Sequence, residues 1–375
     1  MSEPARILYT IPNFITAGSG RAMLNIIERL DRSRFLPAVC VSKKGGDLDR
    51  VVDRLGIPFY ELPTTISPRP YASLLRRARA AASAFDGDRF DIWHSFHYAD
   101  DYTEPIVARM AGAGAWVFTK KNMGWGSRAW WLRSMLAARI GAQNSDMLRT
   151  FFARGPLRRK ARPLPRGVVA DRFSPETAPR LGLRSSLQIS SSDLVVACVG
   201  HLVPVKGHPT LLRALADVPG VHLLVAGRPA DKEYASSLER MVGELCLSGR
   251  VHFLGGVGDI AALHAEADVS VLPTWAKWRM EGCPVALLEA MSCGKACVAT
   301  DIPGSRDLVE HERSGLLVPP EDPHALAAAL RRLSASPQER AAFGAAARQR
   351  VLDRFTIERE VAAHEALYSE VLGLA

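Results

Sequence analysis

Residues 273–302, PTWAKWRMEGCPVALLEAMSCGKACVATDI, fall into three pieces. A loop carrying Trp275, Trp278 and Glu281 is followed by a short apolar helix from Pro284 and then by a buried strand, ACVATDI. Proline suits a first helical turn, where its missing N–H costs nothing, and Gly282 lets the backbone approach a ligand closely. The free N–H groups of that turn, on Val285 and Ala286, form an anion site. Glu281 sits just before the helix and Glu289 about a turn and a half inside it, at roughly 1.5 Å of rise per residue. Carboxylates so spaced cannot share one proton. They suit two different ends of a long ligand with its anionic part between them, as in a nucleotide sugar. The plainer reading is an amphipathic helix with two incidental glutamates.

Working outward, residues 193–215, DLVVACVGHLVPVKGHPTLLRAL, predict a buried strand, a loop and a helix. Lys206 on that loop would neutralise an anion held by the later helix. VHLLVAGR, VHFLGGV and ADVSVLPT continue the alternation of strand and helix, and Asp322 is placed to cap a helix from Pro323. Earlier in the chain, strands are expected at 6–12, 36–42, 58–62 and 91–96, with helical patterns at 48–55 and 71–84. Between the first strand and the first helix, NFITAGSGR offers Gly18 and Gly20 as a phosphate-binding turn or as a plain strand-to-helix connection. It is not the G-x-G-x-x-G fingerprint, because Met23 stands three residues after Gly20. His94 and His97 close the strand at 91–96, where open α/β sheets bind ligands. Asn144-Ser145-Asp146 opens a further helix, with Ser145 or Asp146 as its cap. Throughout, the alternation predicts parallel sheets with right-handed crossovers.

The chain has 375 residues and is 47% hydrophobic, enough for two cores. It has no apolar run long enough to span a membrane and no signal-peptide pattern at its start, so a cytoplasmic location is expected. The six cysteines form no CxxC pair and are read as reduced and structural. Charge divides unevenly: residues 1–170 carry 27 Lys and Arg against 14 Asp and Glu, and residues 171–375 carry 21 against 25. The basic half suggests an anionic partner such as a membrane surface or lipid phosphate, against the alternative of an Arg-rich solvated surface. Residues 127–140, SRAWWLRSMLAARI, have the composition of an interfacial helix, peripheral to the inner face of a membrane. The basic run from Arg154 to Arg166 has only Phe151 and Phe152 beside it to stack bases, so no nucleic acid is expected. Asp47-Leu-Asp49 and Asp86-Gly-Asp88 read as turns rather than metal-binding DxD motifs.

Glu281-Gly-Cys-Pro-Val-Ala-Leu-Leu-Glu289-Ala-Met-Ser-Cys-Gly294 resembles the E-x7-E motif of retaining, GT4-like glycosyltransferases. The resemblance extends, strongly from 194 to 332 and loosely before that, over nearly the whole chain. Gly200, Lys206 and Gly207 resemble the family's G-R-x4-K-G element, with His201 where an arginine is usual. It implies a GT-B fold, two Rossmann-like βα domains facing across a cleft, at 1–172 and 173–356, with the last helix (357–375) packing back on the first. It further implies a metal-independent transfer, with no cofactor, from a nucleotide-diphosphate sugar (a UDP-sugar favoured over a GDP-sugar) to a hydroxyl of a saccharide or lipid-linked acceptor. Glu281, Lys206 and His201 would be catalytic. Gly18, Gly20, Gly200, Gly256, Val257, Gly282, Cys283, Pro284, Val285 and Glu289 would bind the donor. His94, His97, Lys121 and Asn122 would lie on the acceptor side, Lys121 standing where many relatives have a histidine. An inactive sugar-nucleotide-binding scaffold and an epimerase of the same fold are the alternatives.

Overall fold

The computed structural model describes all residues except 1, 2, 16, 126, 277–280 and 375, with every side chain but that of Ala17. Trp278 therefore lies outside the described residues. The chain forms two units, Met1–Pro165 joined by Ile357–Ala375, and Arg166–Thr356. The division thus falls seven residues before the expected one, and the final helix does return to the first unit.

The first unit contains β1 (Ala5–Ile11), α1 (Ala17–Arg29), β2 (Phe35–Val41), α2 (Asp49–Arg54), β3 (Phe59–Glu61), α3 (Leu74–Ala82), β4 (Ile92–Ser95), α4 (Glu104–Met110), β5 (Ala115–Lys120), α5 (Arg128–Leu136), β6 (Arg139–Ala142), α6 (Ser145–Thr150), α7 (Gly155–Lys160) and β7 (Ala161–Pro163). Its seven strands are parallel, in the order β3-β2-β1-β4-β5-β6-β7. The second unit contains α8 (Leu183–Ser186), β8 (Leu194–Val199), α9 (His208–Ala216), β9 (Val221–Ala226), α10 (Lys232–Glu244), β10 (Val251–Gly255), α11 (Ile260–Glu266), β11 (Val269–Leu272), α12 (Val285–Ser292), β12 (Ala296–Thr300), α13 (Ser305–Leu308), β13 (Leu316–Val318), α14 (Pro323–Ala335) and α15 (Pro337–Arg354). Its six parallel strands run β10-β9-β8-β11-β12-β13. α16 (Ile357–Leu372) closes the chain against α1.

Both orders are the doubly wound arrangement, in which the chain reverses direction across the sheet between the first strand and the fourth. Sheets of this kind bind ligands at that switch point, beyond the strand carboxyl ends. In the first unit it lies between β1 and β4, and in the second between β8 and β11. Helices cover both faces, which is why LVVACV of β8 is apolar almost throughout rather than alternating. The helix expected from Pro284 is present, with Pro284 as its extended N-cap and Leu287, Leu288 and Met291 facing the core. Each such side chain contributes about 1.5–3 kcal/mol by leaving water. Asp322 caps α14 as expected, accepting from Ala325 N at 2.9 Å. The cap of α6 is one residue earlier than expected: Asn144, in the extended conformation of an N-cap, accepts at Oδ1 from Met147 N at 2.8 Å.

Candidate functional site

The second unit gathers its chemistry at the switch point. β8 ends at Val199, and the chain turns through Gly200 at φ +153°, where a Cβ would stand 3.2 Å from Lys206 Cε. Gly207, at φ +71°, lies so close to the end of β11 that a Cβ there would meet Pro273 O at 1.9 Å. Only glycine permits that approach. Trp275 ties the two loops together, its N–H donating to Val205 O at 2.9 Å and its indole Nε1–H to Thr210 Oγ1 at 3.0 Å.

This packing sets Lys206 against Glu281, Nζ to Oε1, at 2.7 Å. Among the described residues, Glu281 Oε2 is buried without a hydrogen-bond partner, as are Thr274 Oγ1 beyond β11 and Ser305 Oγ at the start of α13. Gly282 and Pro284 are buried and Cys283 half-buried as they lead into α12, whose first intrahelical bond runs from Leu287 N to Pro284 O. The N–H groups of Val285 and Ala286 precede that bond, at the positive end of the helix. Glu289 projects from the same helix, and burial pushes its carboxyl up to about 7 against the opposing pull of Arg172. Gly256 and Val257 follow β10, beside Arg228, which follows β9; a Cβ on Gly256 would stand 2.8 Å from Arg228 Nε. His201 is exposed, its Nδ1 3.3 Å from Arg228 O. The second unit thus brings Gly200, His201, Lys206, Gly256, Val257, Glu281–Val285 and Glu289 to the carboxyl ends of its strands and the segments that follow them.

Arg228 and Arg172 were not among the expected site residues. The signal for Arg228 was its place after the strand VHLLVA. Arg172 gave none, since its relation to Glu289 is made only by the fold.

The first unit treats its candidates differently. His94 is fully buried, with Nδ1 2.7 Å from Tyr368 Oη and Nε2 2.8 Å from Thr119 Oγ1. Both ring nitrogens are engaged inside the protein, and burial holds its pKa well below the ordinary histidine value. His97 is also buried, with Nε2 3.3 Å from Thr64 Oγ1 and 3.8 Å from Glu104. The structure therefore corrects the acceptor-side reading of His94, a core residue anchoring α16 through Tyr368. His97 belongs to a buried network centred on Glu104. That carboxylate accepts from Thr10 and Ser95 hydroxyls at 2.5 Å each and from Trp93 Nε1 at 3.2 Å, and lies 3.5 Å from Arg133. Lys121 donates to Phe96 O and to Ser19 Oγ (3.3 Å) and lies 3.8 Å from the centre of the Tyr98 ring. Asn122 Oδ1 accepts from Lys120 Nζ at 2.9 Å and from Gly124 N at 3.0 Å, which shapes the loop after β5. Gly18 and Gly20 lie inside α1 rather than in the loop before it. A Cβ on Gly20 would meet Phe14 Cδ1 at 2.6 Å, whereas one on Gly18 would meet nothing within 4 Å. Packing accounts for Gly20; Gly18 faces open space.

Residues 181–350 match the profile of glycosyl transferases group 1. The chain is 34% identical over 202 residues to the GDP-mannose-dependent alpha-(1-6)-phosphatidylinositol monomannoside mannosyltransferase of Mycolicibacterium smegmatis, a match covering 51% of this chain and 52% of that one. It is also 34% identical over 214 residues to the D-inositol 3-phosphate glycosyltransferase of Mycobacterium bovis, covering 55% of this chain and 43% of the relative. The chain thus spans about half the length of the curated relatives it matches. Among solved structures, a glycosyltransferase from Rickettsia africae superposes with a TM-score of 0.86 at 18% identity, over 100% of both chains. The Anabaena protein HepE in complex with UDP does so at 0.82 and 22% identity, over 97% of this chain and 100% of that one. At those identities the likeness establishes the fold.

Proposed function

We propose that the chain, whose residues 181–350 match the glycosyl transferases group 1, transfers a sugar, with retained anomeric configuration, from a nucleotide-diphosphate sugar to an acceptor hydroxyl. The observation that carries this reading is the Lys206–Glu281 pair, at the switch point of the second sheet and next to the N-terminus of α12. Diphosphate oxygens would take Lys206 and the N–H groups of Val285 and Ala286. Glu281, released from Lys206, would accept hydrogen bonds from the sugar, and Glu289 would accept them from the ribose. The bond from the anomeric carbon to the diphosphate breaks, the acceptor oxygen bonds to that carbon on the same face, and the acceptor's proton passes to the departing diphosphate. Lys206 opposes the charge that develops there, with no metal ion required. The GDP-mannose-dependent relative at 34% identity weighs towards a guanosine diphosphate sugar, although the motif resemblance favours uridine. The acceptor is a saccharide or a lipid-linked saccharide, and the basic first half meets an anionic membrane.

A thermal-shift screen against GDP, UDP, ADP and their sugars tests this. A nucleotide at about 100 times its dissociation constant should stabilise the protein by ~2.7 kcal/mol. No response to any of them at saturating concentrations would end the proposal. A response without transfer or hydrolysis would instead support the inactive-scaffold reading.

A further inference from the structure

A second feature lies at the other end of the first sheet. Leu75 and Arg79 of α3, Pro105, Ile106, Arg109 and Met110 of α4, the start of β5 at Ala115 and Trp116, and residues 136–138 between α5 and β6 line a groove of about 640 Å³. It opens at the amino ends of β5 and β6, away from the switch point at the carboxyl ends. Its rim is apolar and exposed: Leu75 is 62% and Leu136 44% accessible, and Tyr71 and Leu132, each four residues away along the chain, are exposed as well. The charges around it have one sign. α3 carries Arg76, Arg77 and Arg79, α4 carries Arg109, α5 carries Arg128, α7 carries Arg158, Arg159 and Lys160, and the one acid on these four helices, Glu104 of α4, is fully buried against the equally buried Arg133. Lys160 Nζ donates to Ala137 O at 2.7 Å, which places α7 beside the groove. Three acids of the unit are paired: Glu104 is buried with Arg133, Asp88 accepts from Arg6 and Tyr60, and Glu370 accepts from Arg139 and Arg162.

We propose that the face formed by α3, α4 and α5 docks on a bilayer containing anionic phospholipid, with Leu75, Leu132 and Leu136 entering its surface and Arg76, Arg79 and Arg109 meeting lipid phosphates. An apolar rim edged by arginines without acids is the composition of an interfacial surface, which gains from both burial and charge attraction. The inference rests on the membrane contact proposed above and names the surface that makes it; it does not depend on transfer chemistry. No helix among the described residues is long and apolar enough to cross a membrane, so the contact is lateral.

The test is cosedimentation of the full chain with phosphatidylglycerol-containing and with pure phosphatidylcholine vesicles, at about 0.05 M salt and at about 1 M, where the screening length falls to about 3 Å. The protein should follow the anionic vesicles at low salt and leave them at high salt. Leu75→Glu with Leu136→Glu should weaken binding by at least about tenfold, as should Arg76→Glu with Arg79→Glu, while Leu352→Glu, an exposed leucine of the second unit, should not. No sedimentation with anionic vesicles would overturn both the surface and the membrane contact. Sedimentation unaffected by either double variant would overturn this surface alone. A concentration-dependent dimer that Leu136→Glu dissolves would show that a second copy, not a bilayer, covers the groove. The nucleotide screen reads out separately from every one of these results.

Discussion

The two sheets share one topology and differ in what fills the carboxyl edge. In the first unit, polar side chains at the switch point are turned on one another: Thr10, Ser95, His97 and Arg133 converge on Glu104, and His94 is held between Tyr368 and Thr119. In the second, Lys206 and Glu281 form a pair, and one oxygen of Glu281 and the hydroxyls of Thr274 and Ser305 are buried without a partner among the described residues. Buried polar atoms are nearly always satisfied, so a cluster that is not, at a strand edge beside a helix N-terminus, has capacity for a ligand. In the first unit's network only Arg133 Nε lacks a partner among the described residues, and its carboxylate and hydroxyl oxygens all hold the fold; the second keeps a carboxylate oxygen and two hydroxyls in reserve.

The hardest test of that difference is Glu104→Ala. Burial alone would raise this carboxyl, but His97, Arg133 and the Ser95 and Thr10 hydroxyls outweigh it and hold it below the ordinary value. Removing it leaves the fully buried Arg133 guanidinium without its counter-charge, at a cost of about 3–5 kcal/mol. Calorimetry should show the melting point falling by about 10 °C. The nucleotide affinity of the molecules still folded should be unchanged. A melting point equal to that of the wild type would break the comparison at its first half.

Lys206→Ala addresses the second half with the opposite pattern. Its pair with the partly exposed Glu281 is worth at most about 1 kcal/mol to stability, so the variant should melt close to the wild type. Turnover should fall by about 10²–10³, the usual effect of removing a group that meets developing charge. Steady-state kinetics with the donor found in the screen decide it, and a fully active variant would remove Lys206 from the reaction.

How far each half was legible follows from the same contrast. The strand and helix alternation, the helix after Pro284 and the cap at Asp322 were readable because each depends on neighbours within a few residues or on an apolar period. The placing of the second unit's candidates was readable for the same reason, since glycines, a lysine and two glutamates lie in short segments that follow strand ends. His94 and His97 occupy an equivalent place in the first unit, yet their partners, Tyr368 and Glu104, come from elsewhere in the chain. A residue type at a strand end does not disclose whether its hydrogen bonds are already taken. Gly20 misled in a smaller way: its bare Cα makes room for Phe14, six residues earlier, rather than for a phosphate.

Glu289→Gln gives the smallest effect and the sharpest distinction. Burial raises the Glu289 carboxyl to about 7, so folding disfavours its charged form. The folded pKa lies above the unfolded one, and the stability this group contributes is therefore full below about 4.5 and lost as pH rises through about 7. Glu289→Gln should accordingly melt at or above the wild-type temperature at pH 8, the reverse of Glu104→Ala. Ribose hydroxyls donate to the carboxylate, so nucleotide binding favours the deprotonated form. Wild-type affinity, followed by calorimetric titration, should then weaken by about tenfold from pH 8 to pH 6 as Glu289 takes up a proton. The glutamine variant should bind about tenfold more weakly at pH 8, or ~1.4 kcal/mol, and its affinity should not follow this titration. If the pH dependence survives in the variant, another group carries it and Glu289 is a buried structural acid like Glu104, which would erase the difference between the two edges at this position.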